Sequence, residues 1–336
     1  MRLFILSFLL IFTQTVLAEF DSWKTTVTPQ FMFGIYNDSP LRDTIYNLGV
    51  FLTADYLDSG GLSFGYNYSY IEGKTGNQEG FNSVDESAFY VSGVFHSYPD
   101  SLSGKLSYRL DAYYISDTTS VTETTTIQPP PSPSPMISIR ASHNSGGSGN
   151  FKTPIYYSNE SMTVNPMLTF ANSAATYNLE LGYAYSDYRY GETSVNNNQV
   201  HQLAPMFGFG FNEKYDWIQM RAYFIHLTDT SLTHGEADFN SLAFKWKHWF
   251  KATSNTVNNM GIDILLGKRM LAVDPDAAMV YSLADQETGA IAIHWQWVVS
   301  EVTKYRLQFG YEQYEDLLVG NDYNIVYTYF NFSHQW

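Results

Sequence analysis

The feature that most constrains this chain is an alternation of period two that persists through most of its length. Between Tyr305 and Tyr314 one face carries Tyr305, Leu307, Phe309 and Tyr311, and the other Arg306, Gln308, Gly310 and Glu312. From Gly289 to Val299 the apolar face is Ile291, Ile293, Trp295, Trp297 and Val299, opposed by Ala290, Ala292, His294 and Gln296. The N-terminal half repeats the pattern, with Leu62, Phe64, Tyr66, Tyr68 and Tyr70 against Ser63, Gly65, Asn67 and Ser69. A helix repeats every 3.6 residues and cannot keep such a set on one face, whereas a strand turns successive side chains to opposite faces. The chain is expected to be all-β.

The residue types on the second face narrow the class. A soluble sandwich would place Lys, Glu and Thr there, but this chain places Gly, Ala, Ser and Asn, which suit the crowded inside of a barrel. Aromatic residues make up 17% of the chain, with 27 Tyr, and charged residues only 15%. Soluble domains carry about 25% charged residues. The reading is a transmembrane antiparallel up-and-down β-barrel, one face toward lipid and the other toward the lumen.

About fourteen strand segments are expected, at 24–36, 44–57, 62–72, 84–98, 104–117, 156–171, 175–190, 199–211, 217–229, 237–250, 260–273, 286–299, 304–315 and 322–336. Each is long enough for a tilted crossing of about 9–11 residues. An even count puts both termini on the periplasmic side. Short turns such as Asp58 to Gly61 and Asn172 to Ala174 alternate with longer links at 73–83, 118–155, 191–198 and 274–285. Pro29, Pro166 and Pro205 fall inside segments and are expected at bulges or strand ends, because proline has no N–H to donate.

Arg2, the apolar run Leu3 to Phe12, and Val16-Leu17-Ala18 read as a signal peptide over 1–18 with cleavage before Glu19. The barrel then occupies 19–336. The absence of cysteine rules out disulfides and thiolate metal sites. A net charge of −15 makes nucleic acid a poor partner. The link at 118–155, rich in Thr, Pro, Ser and Gly, reads as a long low-complexity extracellular loop. It is also the candidate constriction or lid, by analogy with the third loop of general porins.

The chain closes on Phe330-Asn331-Phe332-Ser333-His334-Gln335-Trp336, with Phe330, Phe332 and Trp336 on one face. This resembles the C-terminal signal of Gram-negative outer-membrane β-barrel proteins, with His334 where an apolar residue is usual. The resemblance implies insertion into the bacterial outer membrane by the barrel-assembly machinery. The implied surroundings are outer-membrane lipid and lipopolysaccharide.

Chemistry is sparse. No His-x-x-x-His spacing occurs among the eight histidines, and no Gly-x-Ser-x-Gly elbow is present. By parity His96 and His294 point inward, and His226, His248 and His334 outward. No catalytic residue, cofactor or metal is expected, and the chain is not expected to be an enzyme. Inward parity collects Arg109, Arg221, Lys245, Lys247, Arg269 and Arg306 with Asp55, Asp111, Glu180, Asp263 and Glu312 as pore-lining candidates. The surplus acids, including Asp274, Asp276 and Asp285, are assigned to the outer rim. The expected function is a porin-like channel for passive passage of small hydrophilic solutes, resembling small fourteen-stranded porins in architecture. The alternatives are an outer-membrane enzyme, a hydrophobic-compound transporter, or a structural barrel in an envelope complex.

Overall fold

A computed structural model describes residues 23–56, 59–74, 81–99, 101–126, 150–190, 197–251, 258–280, 285–317 and 320–336. The signal-peptide expectation over 1–18 and the centre of the 118–155 link lie outside the described residues. The first eight strands are β1 (Trp23–Asn37), β2 (Arg42–Tyr56), β3 (Gly60–Gly73), β4 (Phe81–Ser97), β5 (Gly104–Thr126), β6 (Asn150–Asn172), β7 (Tyr177–Tyr190) and β8 (Asn197–Phe211). The remainder are β9 (Asp216–Leu227), β10 (Asp238–Trp249), β11 (Asn259–Arg269), β12 (Val273–Asp274), β13 (Met279–Val280), β14 (Gln286–Val298), β15 (Thr303–Asp316) and β16 (Asn321–Gln335).

Fourteen of these strands close into one antiparallel barrel, each paired with its neighbours in sequence and β1 paired with β16. β11 pairs directly with β14, and β12 and β13 form a separate two-stranded hairpin. Closure leaves no unpaired sheet edge, which a strand in hydrocarbon requires. The expected all-β barrel is the observed fold, and its strand count is the expected one.

The alternation does the sorting. Leu48, Phe64, Phe89, Leu110, Leu181, Leu203, Ile293 and Phe309 are all exposed on the outer wall. Their sequence neighbours Asn47, Tyr90, Asp111, Gly182, Gln202 and Ala292 are buried on the inner face. An aromatic band lies on the outer wall at the end where the short turns cluster. There Phe250 stacks on Trp295 at 5.1 Å, Tyr305 meets Phe332 at 5.1 Å, and His334 meets Trp336 at 4.9 Å. Rings with a polar edge settle at the boundary between headgroups and hydrocarbon.

The three prolines depart from expectation in an instructive way. Each sits within a continuous strand, and the ladder lapses on one side only. Pairing of β1 with β16 skips from Val27–His334 to Gln30–Asn331, around Pro29. Pairing of β6 with β7 skips from Val164–Tyr185 to Met167–Gly182, around Pro166, and β8 with β9 skips around Pro205. The register is unchanged across each gap, so what is lost is local bonding rather than alignment. Beside Pro29 the hydroxyls of Thr28 and Ser333 meet at 2.9 Å and bridge the lapse.

The link at 118–155 is narrower than its composition suggests. β5 continues to Thr126 and β6 begins at Asn150, paired from Gly104–Asn172 to Thr126–Asn150. The β-branched Thr118 to Thr126 run prolongs the alternation that favours a strand.

Candidate functional site

Among the described residues, the lumen is occupied by the segment 270–280 that follows β11. Two bulges aim it inward. The β11–β14 register shifts between Leu266 and Arg269, and the β14–β15 register between Glu287 and Gly289. At the first, Gly267 adopts φ +94, and a Cβ there would lie 2.6 Å from the Asn240 carbonyl oxygen, so glycine is required. A bulge bends its strand, and here β11 turns into the barrel instead of rising above it.

The segment that follows is apolar on both parities. Met270, Leu271, Ala272 and Val273 are each at most 1% exposed. They pack with Val280 against Tyr90, Tyr113, Tyr188, Val200, Tyr223, Leu227, Phe239 and Leu265 of the surrounding wall. Full burial of side chains such as Met, Leu and Val contributes about 1.5–3 kcal/mol each. That offsets the backbone strain of Leu271, which holds φ 49 without being glycine.

Polar clamps complete the seat. Gln202 Nε2 donates to the Val273 carbonyl oxygen at 2.7 Å, and the Val273 N–H donates to Gln202 Oε1 at 3.0 Å. Tyr188 Oη donates to the Leu271 carbonyl oxygen at 3.0 Å, and Arg109 Nη2 to that of Pro275 at 3.2 Å. Asp276, at the hairpin tip, accepts from Arg221 Nη2 at 2.8 Å, Lys245 Nζ at 2.7 Å and Gln219 Nε2 at 2.8 Å. Burial works against ionisation of Asp276, yet the charges of Lys245 and Arg221 hold its carboxyl well below the usual carboxylate range. At the far end of the connection Asp285 pairs with Arg42 at 2.6 Å.

The eleven inward candidates therefore have distinct surroundings. Arg109 pairs with the fully buried Asp111 at 2.8 Å, and Arg221 pairs with Glu180 at 2.8 Å. Arg269 meets Glu287 at 2.5 Å and Asp274 at 3.5 Å. Asp263 lies 3.5 Å from His294 and 3.7 Å from Arg306. Glu312 accepts from Tyr314 Oη at 2.6 Å, and Lys247 stands 4.9 Å over the Trp249 ring. Asp55 sits at the turn end of β2, opposite Lys24 of β1. Many of these charges thus hold the hairpin or the wall instead of lining an open passage.

Three acids were placed differently by sequence. Asp274, Asp276 and Asp285 lie in or against the barrel as ion-pair partners, not on a solvated outer rim. The physical reason is the inward turn of the β11–β14 connection, which carries them to basic partners on the wall.

No protein-family model matches the chain, and no curated protein matches it in sequence. Solved structures do resemble it in shape. A Pseudomonas aeruginosa FadL homologue superposes with a TM-score of 0.50 at 9% identity, over 94% of this chain and 89% of the other. The Pseudomonas putida toluene transporter TodX gives the same figures of 0.50, 9%, 94% and 89%. The fold is that of an outer-membrane β-barrel. The seated hairpin is built by Gly267, the apolar run from Met270 and the clamps from Gln202, Arg221 and Lys245. The sequence carried one trace of it. Alternation stops at Met270-Leu271-Ala272-Val273, where four apolar residues follow one another.

Proposed function

We propose that this protein is a bacterial outer-membrane channel for small, largely apolar compounds, with short turns and both termini on the periplasmic side. The observation that carries the reading is the apolar seat of the β11–β14 connection, which fills the long-loop half of the lumen with Leu271, Val273 and Val280 against aromatic wall residues. A wide aqueous pore for hydrophilic solutes, the expectation from sequence, fits this filling less well. The barrel fold that the chain has in common with a toluene transporter supports the same preference. Length asymmetry between the two rims supports the orientation. The outward rings of Phe330, Phe332 and Trp336 support outer-membrane lipid and the barrel-assembly machinery as partners.

The test is uptake by Gram-negative cells producing the protein in their outer membrane. A monoaromatic hydrocarbon should enter faster than in cells without it, and a hydrophilic sugar of similar mass should not. Equal acceleration of both would return the reading to a porin.

A further inference from the structure

The turn end of the lumen, below the hairpin, has two unlike walls. On the side of β2 to β8 the inward residues mix small ones, among them Ser92, Gly182 and Gly208, with Phe51, Arg109 and Met167. On the side of β9 to β15 they are basic and aromatic. Trp217 and Lys247 are direct cross-strand partners on that inner face. Trp217 lies flat on the wall, since a Cβ on Gly208 would meet its ring at 2.6 Å. Along β10 the Lys247 ammonium stands 4.9 Å over the ring of Trp249, while Trp217 is its cross-strand neighbour on β9.

The next strands extend the basic surface. Lys247 faces Gly261, whose missing side chain leaves room for the His294 ring; a Cβ there would lie 2.4 Å from His294 Cε1. Arg306 is one step further round, opposite Gln296. Its Nη2 donates to Gln308 at 2.8 Å, while its buried Nε has no hydrogen-bond partner among the described residues. Lys304 lies on the same face at the mouth. Against these three cations stands one carboxylate among the described residues, Asp263, at 3.7 Å from Arg306. Lys247 has no carboxylate partner among the described residues. In a chain of net charge −15 such a basic surface is out of keeping with the whole.

We propose that this wall binds a small organic anion with an aromatic body, the charge held by Lys247 and Arg306 and the body by Trp217 and Trp249. A carboxylate or sulfonate would satisfy the unpartnered donors, and charge-assisted hydrogen bonds in a partly dehydrated lumen are the strong ones. The flat indoles select for a ring. The inference deepens the proposed function by naming a substrate class, and rests on that reading only where transport is concerned.

The test is calorimetric titration of the full, purified barrel in detergent with benzoate, with benzyl alcohol and with inorganic phosphate. Benzoate should bind more tightly than either of the others. Lys247→Gln and Arg306→Gln should each weaken it by about tenfold or more, and Lys247→Arg should keep it. Far-ultraviolet circular dichroism of each variant checks that the barrel is intact. Benzoate binding that is absent, or unchanged in the Lys247→Gln/Arg306→Gln double variant, would overturn the site. Phosphate binding as tightly as benzoate would overturn the aromatic half of the proposal. Hydrocarbon uptake is read separately, so its failure alone leaves the anion site standing and removes only the proposed function.

Discussion

The carboxylate of Asp276 is the latch of the lumenal hairpin, and Asp276→Asn measures how strong the latch is. The substitution keeps the shape and removes the charge that Arg221, Lys245 and Gln219 share at 2.8, 2.7 and 2.8 Å. Removing one partner of a buried ion pair costs about 3–5 kcal/mol. The low end applies here, because the Asp276 and Lys245 side chains remain 25% and 30% exposed and Glu180 still neutralises Arg221. A loss of about 3 kcal/mol raises the ratio of unseated to seated hairpin by about two decades. Met270, Leu271 and Val273 still bury their side chains, worth about 1.5–3 kcal/mol each, so the seated form stays the majority. The chain has no cysteine, which permits a clean reporter: Ala272→Cys, at a position 0% exposed. A water-soluble thiol reagent then reacts at a rate set by the unseated population when reseating is fast. Adding Asp276→Asn should speed labelling by about 100-fold, and the control Asp322→Asn should not change it. A labelling rate within about threefold of the parent, well short of those two decades, would refute the latch.

Three further outcomes follow from the same structure. Asp276 has an ordinary carboxylate pKa when free and a depressed one when seated, so its contribution to seating is present above the free value of about 4 and is lost as pH falls through the seated value; Ala272→Cys labelling, divided by that of a free thiol at the same pH because only the thiolate reacts, should be flat from about pH 5 to 8 and rise only in strong acid. Gly310→Ala would place a Cβ 2.1 Å from the Tyr327 ring, and overpacking of that kind should lower stability by about 1–3 kcal/mol in a urea titration of the micellar barrel. Deleting Trp336, which pairs through its backbone with Thr25 at 2.9 Å, should lower the folded yield in outer membranes while leaving total synthesis unchanged on immunoblots.

The barrel was legible in the sequence because lipid enforces the alternation residue by residue. A slip of one position would turn Leu307 and Phe309 inward and expose Arg306 and Gln308, so strands such as β15 and β16 fall close to their expected limits. Proline was over-read. Pro29, Pro166 and Pro205 were expected to end or bulge strands, yet a missing N–H costs one side of a ladder and not its register. Composition marks the long Thr-, Pro- and Ser-rich link as the constriction, while period two alone makes the connection inside the lumen the end of a strand at 260–273 followed by a rim loop. Local pattern sees Met270 to Val273 only as apolar. Whether such a run faces lipid or the lumen depends on the bulge at Gly267 and on partners, Gln202 and Tyr188, that are distant in sequence. Parity assigns a charge to a face, but pairing across the lumen, such as Arg221 with Asp276, has no sequence period to reveal it.

Single-channel recording in a planar bilayer reads whether the seated hairpin obstructs passage through this barrel. The comparison is between the intact protein and a variant in which residues 273–280 are replaced by a short glycine-serine link. The intact protein should stay shut apart from brief openings, and the variant should give long, stable conductance steps. Long, stable steps from the intact protein, or a variant that remains shut with its barrel folded, would contradict it.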